Sequence, residues 1–265
     1  MIQDIAAGTA YLHRPGQGIP MVLLHGIGSD ARSWEAMMAQ LSPGIAALAW
    51  WAPGYGGSTP VAEATPAAYA ARLGALLDAL DMPRVVLAGH SLGALFAGAF
   101  AVAYPDRVAA LALLSPALGY RVVPGDALPE GVQARMDELA ALGPEVFAAK
   151  RATRLLHAPE RHPEILAGVQ RAMASVNPPG YAQACHALGA GDLLADARNF
   201  AMPAKILVGA EDVVTPPANA MALYEAAPSG STIELVPEAG HALPQQAPAL
   251  VAARLAVLMP VRADA

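Results

Sequence analysis

Short apolar runs that end in turn residues alternate along the chain with longer stretches whose apolar positions recur at helical spacing. That alternation is the rhythm of βαβ units, in which a mostly parallel sheet is covered by helices on both faces. Strands are predicted at 9–13, as an edge strand, and at 20–25, 45–51, 84–89, 108–114, 204–209 and 232–236. Those rich in Val, Leu and Ile lack period-two alternation, so burial on both faces is expected. Helices are predicted at 30–41, 65–80, 91–104, 217–227 and 248–259, the second opening on Thr65 as N-cap with Pro66 at the first helical position. The strand-to-helix connections are short except for 115–201. That stretch holds helix formers at 132–142, 145–156, 165–176 and 182–188 and no convincing strand, which reads as a helical insertion rather than a linker.

Four segments at the ends of apolar runs carry candidate chemistry. In Gly89-His90-Ser91-Leu92-Gly93, a serine stands between a strand and a helix, and flanking glycines remove Cβ atoms that a sharp turn would bring into collision. The hydroxyl of Ser91 then projects above the sheet, where the helix N-terminus favours developing negative charge. Leu23-Leu24-His25-Gly26-Ile27-Gly28 ends an earlier strand, and its loop can supply one oxyanion donor, the Ile27 amide, beside the Leu92 amide that follows the serine. His25 precedes that loop and reads as a structural, hydrogen-bonded histidine. After the strand at 204–209 come two carboxylates, Glu211 and Asp212, and after the strand at 232–236 comes Gly240-His241. The other histidines, His13, His90, His157, His162 and His186, are scattered without metal-ligand spacing, so no metal is expected.

Composition narrows the function classes. With 265 residues, 55% hydrophobic and 14% charged, the chain can bury a full core and lies far from the disordered regime. A net charge of −6 without a basic run gives no footprint for nucleic acid or an anionic membrane. Mean hydropathy is +0.38, yet the longest apolar stretch, 92–103, is too short to span a bilayer and contains two glycines. No basic n-region precedes an apolar segment at the N-terminus, so the cytoplasm is the expected location. Cys185 is the single cysteine and reads as a small buried apolar residue.

Taken with Ala52-Pro53-Gly54-Tyr55-Gly56-Gly57-Ser58, these ordered motifs resemble the α/β-hydrolase superfamily over essentially the whole chain. The order Ser91, Asp212, His241 is the order that fold uses. The resemblance implies a mostly parallel central sheet flanked by helices, with a helical cap inserted after the sixth core strand. The core would comprise 1–115 and 201–265, and the cap 116–200. It also implies Ser91 as nucleophile, His241 as general base, and Asp212 as the acid, since Gly-x-x-Asp-x-x-x-Pro spacing favours it over Glu211. Trp51 departs from the pattern, which usually has an aspartate there, and this puts only the local turn in doubt.

A narrower resemblance, carried by Gly28-Ser29-Asp30 with Trp34 and by Gly180-Tyr181, Cys185 and Gly191-Asp192-Leu193, is to 3-oxoadipate enol-lactonases. Here the elbow departs, reading Gly-His-Ser-Leu-Gly. Gly26 and Trp34 are expected at the substrate. Arg135, Arg151, Arg154, Arg161 and Arg171 are among the arginines that fall in the insertion, and Arg151 and Arg154 are spaced to share a helix face that could turn toward an acidic substrate. The expected activity is hydrolysis of a small-molecule ester or lactone through an acyl-enzyme, without cofactor. Carbon–carbon or amide bond hydrolysis, cofactor-free perhydrolysis and a non-catalytic receptor are the alternatives, and homo-oligomerisation stays open.

Overall fold

The computed structural model describes residues 1–123 and 125–260. Position 124 of the expected cap and 261–265 of the expected core lie outside the described residues. An eight-stranded sheet runs through the molecule. Its strands are β1 (Ile2–Ala6), β2 (Thr9–Arg14), β3 (Gln17–Leu24), β4 (Ile45–Trp50), β5 (Val85–His90), β6 (Val108–Leu114), β7 (Ala204–Gly209) and β8 (Thr232–Val236), in the spatial order β1-β2-β4-β3-β5-β6-β7-β8. All pairings from β4 through β8 are parallel, while β1 with β2 and β2 with β4 are antiparallel. Every residue of β5 is buried, which is why Val85-Val86-Leu87-Ala88 shows no polar alternation.

The expected edge strand is not the edge. β1 covers it through a two-residue turn, Ala7-Gly8, with both residues at positive φ (46° and 70°). Asn-Gly is the usual sequence signal for that turn, and Ala-Gly carries little of it; β1 itself, with Ile2 and Ile5 exposed, shows no buried face. With β1 counted, Val108–Leu114 is the sixth strand.

The helices are α1 (Glu35–Gln40), α2 (Pro66–Ala79), α3 (Leu92–Ala103), α4 (Glu130–Arg151), α5 (Pro163–Ala174), α6 (Pro178–Ala190), α7 (Leu193–Ala197), α8 (Pro217–Ala226), α9 (Leu243–Gln246) and α10 (Pro248–Ala256). Thr65 caps α2 by accepting from the Ala68 amide at 3.3 Å, with Pro66 in the first turn. The helix expected at 30–41 begins instead as a 3-10 turn, Ala31–Trp34, before α1. Between β6 and β7 the two helices expected at 132–142 and 145–156 follow one another within α4, separated at Gly143 (φ 73°, ψ 163°), which is non-helical because the following Pro144 disfavours helical geometry at the residue before it. Past Arg151 the chain tightens into a 3-10 turn, Ala152–Leu155, so Arg154 leaves the α-helix. Among the described residues no helix is long and apolar enough to cross a membrane.

Candidate active site

The strand-to-helix turn at Ser91 is strained in the way its glycines foretell. Ser91 has φ 54° and ψ −115°, a region that non-glycine residues rarely adopt. A Cβ on Gly89 would sit 2.3 Å from the Gly93 carbonyl oxygen, and one on Gly93 would sit 2.3 Å from that of Leu24, so both glycines are required by contact with backbone. The Ser91 amide donates to the Leu114 carbonyl at 2.9 Å, fixing the turn to β6. Leu92 opens α3, so its amide has no intrahelical acceptor.

At the far end of β7, Asp212 accepts from the amides of Val214 (2.8 Å) and Thr215 (2.9 Å) on Oδ1. Its Oδ2 lies 2.9 Å from Nδ1 of His241, which donates to it. Burial pushes the Asp212 carboxyl up, but the His241 ring beside it and the two amides outweigh this and bring it down to about 2. Glu211 makes none of these contacts, which separates the two carboxylates the sequence left adjacent. The Thr215 hydroxyl, unremarked in the sequence, stands 3.1 Å from both Asp212 Oδ2 and His241 Nδ1 and 2.9 Å from the Ser115 carbonyl oxygen. The sequence signals only the turn, in which the aspartate side chain accepts from backbone amides two and three residues on; the hydroxyl's contact with His241 has no local signal.

Ser91, His241, Ile27 and Leu92 all line one cavity of about 400 Å³. No direct hydrogen bond joins the Ser91 hydroxyl to His241 among the described residues; in ligand-free sites such bonds are often long and close when substrate binds. His25 is held as a structural residue. Its Nε2 accepts from the Ala52 amide at 3.0 Å, and its Nδ1–H donates to the Gly26 carbonyl at 2.8 Å.

The expected substrate contacts divide. Trp34 is fully buried away from the cavity, its ring edge-on to His90 at 6.4 Å, because the 3-10 turn that replaces the first helical turn packs it into the core. Gly26 is outside the lining of this cavity but lines a smaller pocket beside it with Ile27, His90 and His241, and a Cβ on it would meet that of Ser91 at 2.9 Å. Arg151 and Arg154 do line the cavity, joined by Arg135, while Arg161 and Arg171 do not. No aspartate or glutamate is among the described lining residues. Arg151 is paired from outside: its Nε donates to Glu138 at 2.5 Å, a carboxylate it shares with Lys150, also at 2.5 Å. Among the described residues Arg135 and Arg154 form no ion pair. Burial pushes the Cys185 thiol up to about 12, leaving it a protonated core residue.

The profile of the alpha/beta hydrolase family matches residues 21–254. The chain belongs to that family. Among curated proteins it is 39% identical over 101 residues to an uncharacterized Mycobacterium tuberculosis protein, covering 38% of this chain and 30% of that protein's length. It is 26% identical over 242 residues to 3-oxoadipate enol-lactonase 2 of Acinetobacter baylyi, covering 90% of this chain and 87% of the relative. Among solved structures, a thermophilic esterase from Thermogutta terrifontis, with malate bound, superposes with a TM-score of 0.83 at 27% identity over 95% of each chain. Proteins named as esterases and enol-lactonases are thus among those the chain resembles.

Proposed function

We propose that this protein is a serine hydrolase that cleaves a carboxylic ester or lactone of a small molecule. The observation that carries the reading is the Asp212–His241 pair, joined at 2.9 Å, facing the same cavity as a serine held at φ 54° on a strand-to-helix turn. His241, its Nδ1–H committed to Asp212, takes the Ser91 proton on Nε2 as Ser91 Oγ attacks the carbonyl carbon. The tetrahedral oxyanion is received by the Ile27 and Leu92 amides. Collapse breaks the bond to the alkoxide, which leaves with the proton from His241. Water, deprotonated by His241, then attacks the acyl-enzyme and releases the acid and Ser91. These groups supply nucleophile, base and electrophile, so no step calls for a cofactor.

The substrate is an acidic ester or lactone. Three arginines and no carboxylate line the cavity, and charge-assisted, paired contacts from guanidinium to carboxylate are strong and specific. The relatives named above, one called a 3-oxoadipate enol-lactonase and one bound to malate, support the same class. The test is a hydrolysis screen of p-nitrophenyl esters, lactones and enol-lactones, each offered as a carboxylated compound and as its neutral analogue, beside a Ser91→Ala control. Turnover by wild type, lost in Ser91→Ala and favouring the carboxylated member, is the expected result. Equal turnover by Ser91→Ala would overturn the nucleophile, and preference for the neutral member would overturn the substrate class.

A further inference from the structure

The segment that presents His241 is tied to the helical excursion between β6 and β7 by bonds that the proposed chemistry does not use. Gln246, the last residue of α9, accepts on Oε1 from the Gly240 amide at 2.8 Å and from the His157 amide at 3.0 Å, and its Nε2 donates to the His157 carbonyl at 2.9 Å. One residue beyond His241, the Ala242 amide donates to the Leu155 carbonyl at 2.7 Å. The two backbones touch: a Cβ on Gly240 would lie 2.7 Å from the His157 nitrogen. The amides of Gly240 and Ala242, one residue to either side of His241, are thus tied to the segment 155–157, the first through Gln246 and the second directly, and Leu155 with the preceding Arg154 lines the cavity together with His241.

We infer that Gln246 is a positioning residue that locks the base to the substrate-facing excursion, so that the wall that receives substrate and the ring that takes the proton move as one body. This rests on the reading of His241 as general base. The amide is fitted to the task because it offers one oxygen to two N–H groups and returns one N–H to a carbonyl, a pattern that neither a carboxylate nor an apolar side chain reproduces. Gln246 does not touch the reacting atoms. Its loss therefore changes how often the His241 ring stands in line with Ser91, and a misplacement of about an ångström in such a site can cost roughly 100-fold in rate.

The experiment compares wild type with Gln246→Met, Gln246→Asn and Gln246→Glu, using p-nitrophenyl acetate turnover, the rate of fluorophosphonate labelling of Ser91, and thermal unfolding. In Gln246→Met, which fills the space without hydrogen bonds, kcat and the labelling rate should fall together by roughly 10- to 100-fold, with KM within about two-fold of wild type. Gln246→Glu keeps an acceptor for the two amides and should recover part of the loss. If Gln246→Met does not fold, Gln246→Asn, polar but one methylene too short to span Gly240 and His157, gives the same split. A folded variant of either kind with wild-type kcat and labelling rate, whatever its melting temperature, overturns the inference. Undiminished labelling of Ser91→Ala would instead overturn the serine reading.

Discussion

At the residue scale the site depends on how a few buried polar groups are partnered. In the proposed mechanism Asp212 has two roles to fill, holding the His241 tautomer and balancing the imidazolium that forms. Asp212→Asn should therefore keep the fold and lose roughly 10³- to 10⁴-fold in kcat, whereas Glu211→Gln should change it little, as steady-state kinetics on any hydrolysed ester will show. Thr215→Val removes a hydroxyl from the same carboxylate but leaves the Thr215 amide bond in place. A smaller loss, on the order of ten-fold, is expected. Two other buried rings govern the response to acid. Burial holds His90 down to about 3, where its Nε2–H donates to the His241 carbonyl at 2.8 Å, and it lowers His25 as well. An unfolded histidine titrates near 6.5, so between about pH 6.5 and 3 the unfolded chain binds a proton that native His90 refuses, and stability falls as pH falls through that window. The Asp212 contribution, present above about pH 4, is lost only as pH drops from there toward about 2. Melting temperature should thus decline steadily below about pH 6.5, and His90→Gln, which keeps a donor toward His241, should flatten the upper part of that decline. An unchanged slope in the variant would remove His90 as its source.

At the scale of elements, the turn between β5 and α3 is the least tolerant of change. Gly93→Ala would press a methyl group against the carbonyl of Leu24 at 2.3 Å, in backbone that cannot retreat because β3 and β5 are hydrogen-bonded neighbours. A loss of at least about 1–3 kcal/mol is expected, measurable by denaturant unfolding, together with slower fluorophosphonate labelling because α3 carries the Leu92 amide. Helix starts with an N-cap and a proline, such as Thr65-Pro66, were legible in the sequence because their signal is local. β1 was not, because its hairpin turn uses Ala7-Gly8 and its side chains face solvent. Nor was the placement of Trp34: helical spacing gave no hint that a 3-10 turn would rotate the ring into the core.

At the scale of the molecule, the cavity is made jointly by the ends of the sheet strands and by the helices between β6 and β7. Its charge is set by the second group. Arg135 comes from α4 and Arg154 from the turn that follows it, and neither is neutralised by a carboxylate among the described residues. Arg135→Ala and Arg154→Ala should each raise KM for a carboxylated ester by roughly ten-fold or more while leaving its neutral analogue within about two-fold. Arg151→Ala should behave differently. Its guanidinium is shared with Glu138 and lies over the Phe147 ring at 5.1 Å, so its loss should show in melting temperature more than in selectivity for the acid. A KM effect confined to Arg151→Ala would reverse the assignment.

The sequence by itself determined the parallel sheet and the order of its main strands' motifs, because continuous apolar runs ending in glycine are local signals of strands buried on both faces and of tight turns at their ends. It likewise marked Ser91, Asp212 and His241, each beside a turn whose residue types are dictated by backbone geometry. Only the tertiary structure decided which arginines face the cavity and which of those is paired with a carboxylate, that Trp34 is buried away from the cavity, and that Thr215 meets Asp212 and His241 while Gln246 ties the loop of His241 to His157. Those outcomes depend on contacts between segments far apart in the chain, 89 residues in the case of Gln246 and His157, and no periodicity or motif encodes which side chains meet across such a distance.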